Sequence, residues 1–347
     1  MDHGQAADLK IGKDSRDRSA MGINRVSVLV TFYNQEGYVD KAMESILSQK
    51  TSFGVKIIAG DDGSSDGTAD AVRKWMQKYP DKIELYVMER GEGKQIPGFR
   101  ASRNRINILK HVDTEYFIFL DGDDYFSNDS KLQKQVDILD SADNQDCTAC
   151  GHNTDMLYKD NTRKPATDPS LKEGKISAAD YWIRHYIHTD SLLFRSSVIP
   201  GLDLKLLENS FNDNLITFPA VKSGKIYYIP ESWAVYVQTS DGIWTKGNEA
   251  VNLIRNMIFY DLAVKIAPEL KKQSLCRFSY LWTDLWKIRK EIDASTLEAY
   301  EEEARSKGFG NTLRWIRYRD LNAFQKAGLW IKSVSVRCYA GILRRVL

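Results

Sequence analysis

The stretch Tyr116–Phe126, YFIFLDGDDYF, decides how the rest of the chain is read. Tyr116 to Leu120 form a short apolar, aromatic-rich run, too brief to cross a membrane and suited to a buried strand. The acids Asp121, Asp123 and Asp124 therefore fall at its carboxyl end. In an open α/β sheet that end is where ligands bind, and hard carboxylate oxygens there suit Mg2+ or Mn2+ and, through the ion, a diphosphate. Taken alone, DGDD is equally a polar turn, since Asp and Gly are ordinary turn residues. An EF-hand loop counted from Asp121 fails, because Phe126 stands where glycine is needed and Leu132 where the bidentate Glu belongs.

Working outward towards the amino end, VSVLV (residues 26–30) is a second buried-strand pattern, closed by the turn chemistry of TFYNQEG (residues 31–37). Val39, Ala42, Met43, Ile46 and Leu47 then recur at helical spacing on one face. Val55 to Ala59 reads as another strand, followed by the loop GDDGSSDGT (residues 60–68). Thr68 is placed to cap a helix that stops before Pro80. Strand, helix, strand, helix predicts a parallel sheet. Asp61 and Asp62 sit in a glycine-rich turn where they can hydrogen-bond a base or ribose, although a solvated loop has the same composition. Calcium is excluded again, as Arg73 occupies the Glu position counted from Asp62.

In this order and spacing, VSVLVTFYNQEGYVDKAMESILSQ, IIAGDDGSSDGT, SRNRIN and FIFLDGDD resemble the inverting nucleotide-sugar glycosyltransferases of family 2, over about 100 residues. The resemblance implies the GT-A fold, a Rossmann-like α/β architecture with a mixed, mostly parallel sheet flanked by helices. It implies that Thr31 and Asp62 contact the nucleoside, with Asp62 accepting the uracil N–H. Arg103 of SRN would lie near the diphosphate, where a guanidinium fork suits phosphate oxygens. Asp121 and Asp123, separated by Gly122, correspond to the family's DxD pair, with Asp123 or Asp124 ligating the metal. The segment ERGEGKQIPGFR (residues 89–100) is expected as a loop over the donor.

The acceptor side follows from the same resemblance. HTDSLLF, from His188, matches an acceptor-side strand, which makes His188 a candidate acceptor contact. Asp213, in NSFNDNLITFPA, stands where the family places the base that deprotonates the acceptor hydroxyl; a helix N-cap is the alternative reading. Asn212 precedes it where many relatives carry an acid. Glu208, Asp190 and Asp241 are the rival bases. IYYIP and ESWAVYVQ read as strands leading to the closing loop TSDGIWTKG. Val237 and Thr239 replace an Arg and a metal-binding His of some relatives, so water, phosphate or Asp241 would complete the shell. Trp244 is expected against a sugar or in the core.

Apolar content of 42%, charged content of 28% and a net charge of +2 over 347 residues describe a soluble globular chain with no general attraction for nucleic acid. Four cysteines make no disulfide framework, and Cys147 and Cys150 lack a second pair for zinc. No apolar run spans a bilayer and the amino end shows no secretion signal, which together predict a cytoplasmic location. Residues 1–24 read as a flexible leader, 25–247 as the catalytic domain (donor half 25–130, acceptor half 131–247) and 248–347 as a helical region. Glu301, Glu302 and Glu303 mark a solvated helix face. Residues 311–347 carry net +7 among Trp315, Tyr318, Phe324, Trp330 and Tyr339, leaving −5 elsewhere. That mixture suits either an anionic membrane face, making the protein peripheral, or a packed helix with a basic outer side.

The expectation is a metal-dependent (Mn2+ or Mg2+) hexosyl- or N-acetylhexosaminyltransferase using a UDP-sugar. Its acceptor would be a hydroxyl of a glycan or lipid-linked glycan, as in bacterial surface polysaccharide assembly. The alternatives are a sugar nucleotidyltransferase and a non-catalytic nucleotide- or glycan-binding module.

Overall fold

The apolar runs bounded by turn residues form strands, and the helically spaced stretches between them form helices. The structure is a computed structural model describing residues 23–90, 97–184, 187–208, 221–239, 249–288 and 294–306, with single positions elsewhere. In chain order the first half contains β1 (Asn24–Phe32), α1 (Val39–Leu47), β2 (Gly54–Asp61), α2 (Thr68–Lys78), β3 (Ile83–Val87), α3 (Pro97–Leu109), β4 (Tyr116–Asp121) and the short β5 (Tyr125–Phe126). The second half continues with α4 (Lys131–Asp140), β6 (Cys147–Leu157), β7 (Arg163–Pro165), β8 (Gly174–Ser177), α5 (Ala178–Arg184), β9 (Leu193–Arg195), α6 (Leu204–Leu207) and β10 (Lys225–Val237). Three helices follow: α7 (Glu249–Ile266), α8 (Lys271–Ile288) and α9 (Ala294–Ser306).

The strands lie in the order β3-β2-β1-β4-β9-β6-β10-β5, with β7 added to β6 and β8 to β10. The pairs β1–β2, β1–β4, β2–β3 and β6–β10 are parallel; the short strands pair antiparallel. Register brings the expected ligand edge into line, with Thr31 opposite Asp121 and Phe32 opposite Asp61. Because β9 runs against β4, with Ile118 opposite Leu193, the residues preceding β9 fall at the carboxyl end of β4. Sheet geometry alone thus delivers the 188–191 turn to the acids.

Alternation along β4 builds both cores. Tyr116, Ile118 and Leu120 join Val28, Val30, Ile57, Met43 and Val136 on the face covered by α1, α2 and α4. Phe117 and Phe119 join Ile58, Ile108 and Phe194 on the other face, in the same apolar cluster as Ile254, Met257 and Phe278 of α7 and α8. Residues of α7, α8 and α9 thus share one apolar cluster with that face of the sheet.

Three local expectations change. Thr68 begins α2 instead of capping it, and its hydroxyl accepts the Gln35 N–H at 2.8 Å, tying two ligand-edge loops together. The stretch around IYYIP and ESWAVYVQ is one strand, β10, whose register shifts between Ile229 and Ser232. Pro230 lies inside that shift, having no N–H to give to a ladder. Finally α3 starts at Pro97, a residue pre-set for a helix's first turn, so the loop expected over 89–100 ends earlier; 91–96 lie outside the described residues. Among the described residues no helix is long and apolar enough to cross a membrane. The Phe117 and Phe194 rings stack at 5.1 Å in full burial. Phe117→Ala is expected to lower the unfolding free energy by about 3–5 kcal/mol, read from urea denaturation with circular dichroism.

Candidate active site

The site is built where β1, β2 and β4 end. Asp121 is held from two sides: the Thr31 hydroxyl donates to it at 3.0 Å, and Arg105 reaches both carboxylate oxygens, at 2.5 and 2.8 Å. Gly122 follows with its N–H on the Thr31 carbonyl at 2.9 Å. A Cβ at Gly122 would collide with the Phe32 ring, so only glycine lets the chain turn here. Asp124 is 1% exposed; its Oδ1 accepts the Val237 N–H at 2.7 Å while Oδ2 is buried without a hydrogen-bond partner. Facing it is Asp190, also 1% exposed, on the turn that precedes β9, with the His188 Nδ1 at 3.2 Å. Asp121, Asp124 and Asp190 each offer an oxygen within 4.8 Å of the other two.

That turn is fastened from below. The side-chain amide of Gln135 on α4 donates to the carbonyls of Ser191 at 2.8 Å and Cys150 at 2.7 Å, and its oxygen accepts from the buried Lys131 at 2.7 Å. Burial pushes the Lys131 ammonium well below its ordinary value. The Cys150 thiol is pushed up to about 12 by burial, so it is unreactive, as expected of an ordinary core cysteine.

Crowding like charges away from water shapes the acids' behaviour. Burial, then the charges of Asp190 and Asp123, pushes Asp124 well above the usual carboxylate range. Asp123 rises to about 7, through burial and then the neighbouring Asp121. Burial alone would raise Asp190 too, but His188 beside it holds it down. The Tyr236 phenol, its ring tilted against His188 with centroids 4.8 Å apart, is raised by burial and by the charges of Asp121, Asp123, Asp124 and Asp190. Burial and mutual repulsion therefore favour the protonated forms of Asp123 and Asp124 unless a cation takes the proton's place. A buried carboxylate oxygen with no donor, in an all-oxygen set, fits a hard divalent ion.

The family model described as "Glycosyl transferase family 2" matches residues 27–201, half of the chain. The chain belongs to glycosyl transferase family 2. An uncharacterized protein of Mycobacterium tuberculosis is 27% identical over 219 residues, 63% of this chain and 60% of that protein, so the match spans less than two thirds of the relative. A processive diacylglycerol beta-glycosyltransferase of Mycoplasma pneumoniae is 24% identical over 259 residues, covering 71% of this chain and 72% of the relative. Among solved structures, S. aureus TarS 1-349 in complex with UDP-GlcNAc superposes with TM-score 0.57 at 16% identity, over 85% of this chain and 92% of that one. A mannosyltransferase of Pyrobaculum calidifontis in complex with GDP-Man and Mn2+ gives 0.51 at 17% identity, over 92% and 86%. Both likenesses are likenesses of fold, and they bear out the mixed, mostly parallel GT-A sheet.

Within this family 2 member the expected residues separate. Thr31, Asp121, Gly122, Asp123 and Asp124 lie together, and Asp62 lies on the adjoining strand end, 3% exposed and ion-paired with Arg100 and, at 3.4 Å, Arg90. Burial raises the Asp62 carboxyl, and Arg100 works against that. Asp61 is fully buried and accepts the Ser64 N–H at 2.9 Å and hydroxyl at 2.5 Å, bracing the turn. Arg103 is exposed on α3, as is Lys110 just past the helix end. At 3.6 residues per turn Arg105 lies on the opposite side of the helix from Arg103, and that side is buried and carries Arg105 to the acids. Of the metal pair, Asp123 lies just outside the three-carboxylate group, its carboxylate 3.4 Å from the Thr239 hydroxyl, and Asp190 joins Asp124 instead. His188 is 7% exposed and braces Asp190. Glu208 pairs with Lys110 on the surface at 2.9 Å. Asp213, Asp241 and Trp244 lie outside the described residues. Asp190 and Tyr236 carry no motif of their own; helical-wheel placement of α3 would have found Arg105.

The pH consequence is specific. A carboxyl raised in the fold binds its proton more tightly there than in the unfolded chain, so metal-free stability falls as pH rises from about 4, the unfolded value, to about 7. Asp123→Asn is expected to raise the melting temperature in chelator at pH 8 and to leave it unchanged at pH 4, by differential scanning fluorimetry.

Proposed function

We propose that this family 2 enzyme transfers a hexosyl or N-acetylhexosaminyl group from a UDP-sugar to a hydroxyl of a glycan or lipid-linked glycan, with inversion. The observation that carries the reading is the convergence of Asp121, Asp124 and Asp190 beside the strand end bearing Asp62. The names of the structural neighbours, one holding UDP-GlcNAc and one GDP-Man with Mn2+, support a nucleotide-sugar donor and a divalent ion.

Asp121, Asp124 and Asp190 would hold Mn2+ or Mg2+, which supplies positive charge to the departing diphosphate. Thr31 and Arg105 fix the Asp121 carboxylate towards that ion. Asp62 accepts the uracil imide N–H once its pair with Arg100 gives way, and the freed guanidinium is then available to a phosphate oxygen. Asp213, assigned on the family resemblance, takes the proton of the acceptor hydroxyl as its oxygen attacks the anomeric carbon opposite the leaving UDP. One displacement inverts the centre. A cytoplasmic location at the membrane face, with residues 311–347 as a basic and aromatic contact, belongs to the same proposal.

The decisive assay is UDP release from UDP-sugars in Mn2+ and in chelator. Asp213→Asn is expected to cut transfer by at least about 100-fold while UDP affinity changes less than threefold. Asp190→Asn should weaken UDP binding by about tenfold in Mn2+ and leave the metal-free affinity alone, by calorimetry. Release of pyrophosphate from a nucleoside triphosphate, or binding with no turnover of any UDP-sugar, would replace this reading with a nucleotidyltransferase or a binding module. Deletion of 311–347 should reduce flotation with vesicles containing phosphatidylglycerol; equal recovery removes the membrane contact.

A further inference from the structure

The donors gathered around the acids are turned on the protein itself. The Thr31 hydroxyl and Arg105 meet Asp121, the Val237 N–H meets Asp124 and the Thr239 hydroxyl meets Asp123. His188 stands at Asp190, and Lys131 donates to Gln135. The phenol of Tyr236 is different: its hydroxyl makes no hydrogen bond to any described residue, although the side chain is half-buried. A polar group withdrawn that far from solvent normally has an acceptor, whether protein, water or ligand.

The position of this phenol is fixed from two sides. The peptide N–H that joins Tyr236 to Val237 is the one on Asp124, and the Tyr236 ring lies tilted against His188, with centroids 4.8 Å apart, while His188 stands at Asp190. Tyr236 therefore sits between the segments that carry two of the three clustered carboxylates, close enough for Asp121, Asp123, Asp124 and Asp190 all to act on its ionisation. The order of strands gives it an end of the site. Asp62 follows β2, the acids follow β4 and precede β9, and Tyr236 belongs to β10, on the far side of the acids from Asp62. A nucleotide with its base at Asp62 and its phosphates at the acids reaches Tyr236 with its distal phosphate.

A phosphate entering a group of carboxylates needs donors that the carboxylates have not already taken. A neutral phenol, with an ordinary pKa of about 10, supplies one throughout the neutral range. Resting on the transferase reading above, we propose that Tyr236 is a catalytic residue whose hydroxyl donates a hydrogen bond to the β-phosphate of the nucleotide-sugar. When the bond between the anomeric carbon and the β-phosphate oxygen breaks, its electron pair stays on that oxygen. The phenol donates to the phosphate that collects this charge and keeps its own proton.

Tyr236→Phe removes the hydroxyl and leaves the ring against His188. Calorimetry of the full chain in Mn2+ with UDP and with UMP is the test, together with single-turnover transfer from whichever UDP-sugar the release assay finds active. UDP affinity is expected to fall about tenfold and UMP affinity, which involves no β-phosphate, to change less than threefold. The single-turnover rate should fall about 100-fold with the melting temperature unchanged. Unchanged UDP affinity, the result for a hydroxyl that meets only water, overturns the proposal. So does equal weakening of UDP and UMP, or a loss confined to the UDP-sugar with UDP binding intact, which would place the hydroxyl on the sugar. A wild-type chain that binds no UDP in Mn2+ undoes the transferase reading itself, a result separate from any behaviour of the variant.

Discussion

The structure turns on a repulsion. Asp121, Asp123, Asp124 and Asp190 are brought together at one sheet edge, mostly out of water, with Arg105 paired to Asp121 and His188 holding the Asp190 carboxyl below its ordinary range. Removing carboxylates from water and crowding them is costly, and proteins keep such groups where a cation or a proton makes up the difference. Much of the surrounding architecture restrains that edge: the three parallel strand ends in register, the Gln135 clamp on the 188–191 turn, and the Val237 N–H on Asp124.

The same edge divides labour among residues of one chemical type. Asp61 and Asp62 are neighbours in sequence, yet one braces a turn through Ser64 and the other is matched to arginines. Strand geometry separates them, because successive side chains leave a strand on opposite faces. On α3 the helix period separates Arg105, which reaches Asp121, from Arg103, which faces solvent two residues earlier, while Arg100 in the first turns reaches Asp62.

The donor half was largely legible. VSVLV and YFIFLD are runs whose length, aromatic content and flanking turns admit little besides buried strands, and their ends are local properties of the chain. Thr31 and Asp121 were identifiable because each lies within a residue or two of such an end. Arg105 was missed through the weight placed on SRN rather than on the helix period. Asp190 had no local signal beyond being an acid near His188, since its partner lies 66 residues earlier.

By itself, then, the sequence determined which segments are strands and helices, that the acids of DGDD end a buried strand, and which family the chain resembles. These follow from side-chain size, period and turn chemistry over a few residues. Only the tertiary structure decided which carboxylates share a site, which arginine faces them and that α7, α8 and α9 share an apolar cluster with one face of the sheet. Antiparallel insertion of β9 beside β4 sets the position of Asp190, and pairing between strands far apart in the chain is a property no short window of residues contains.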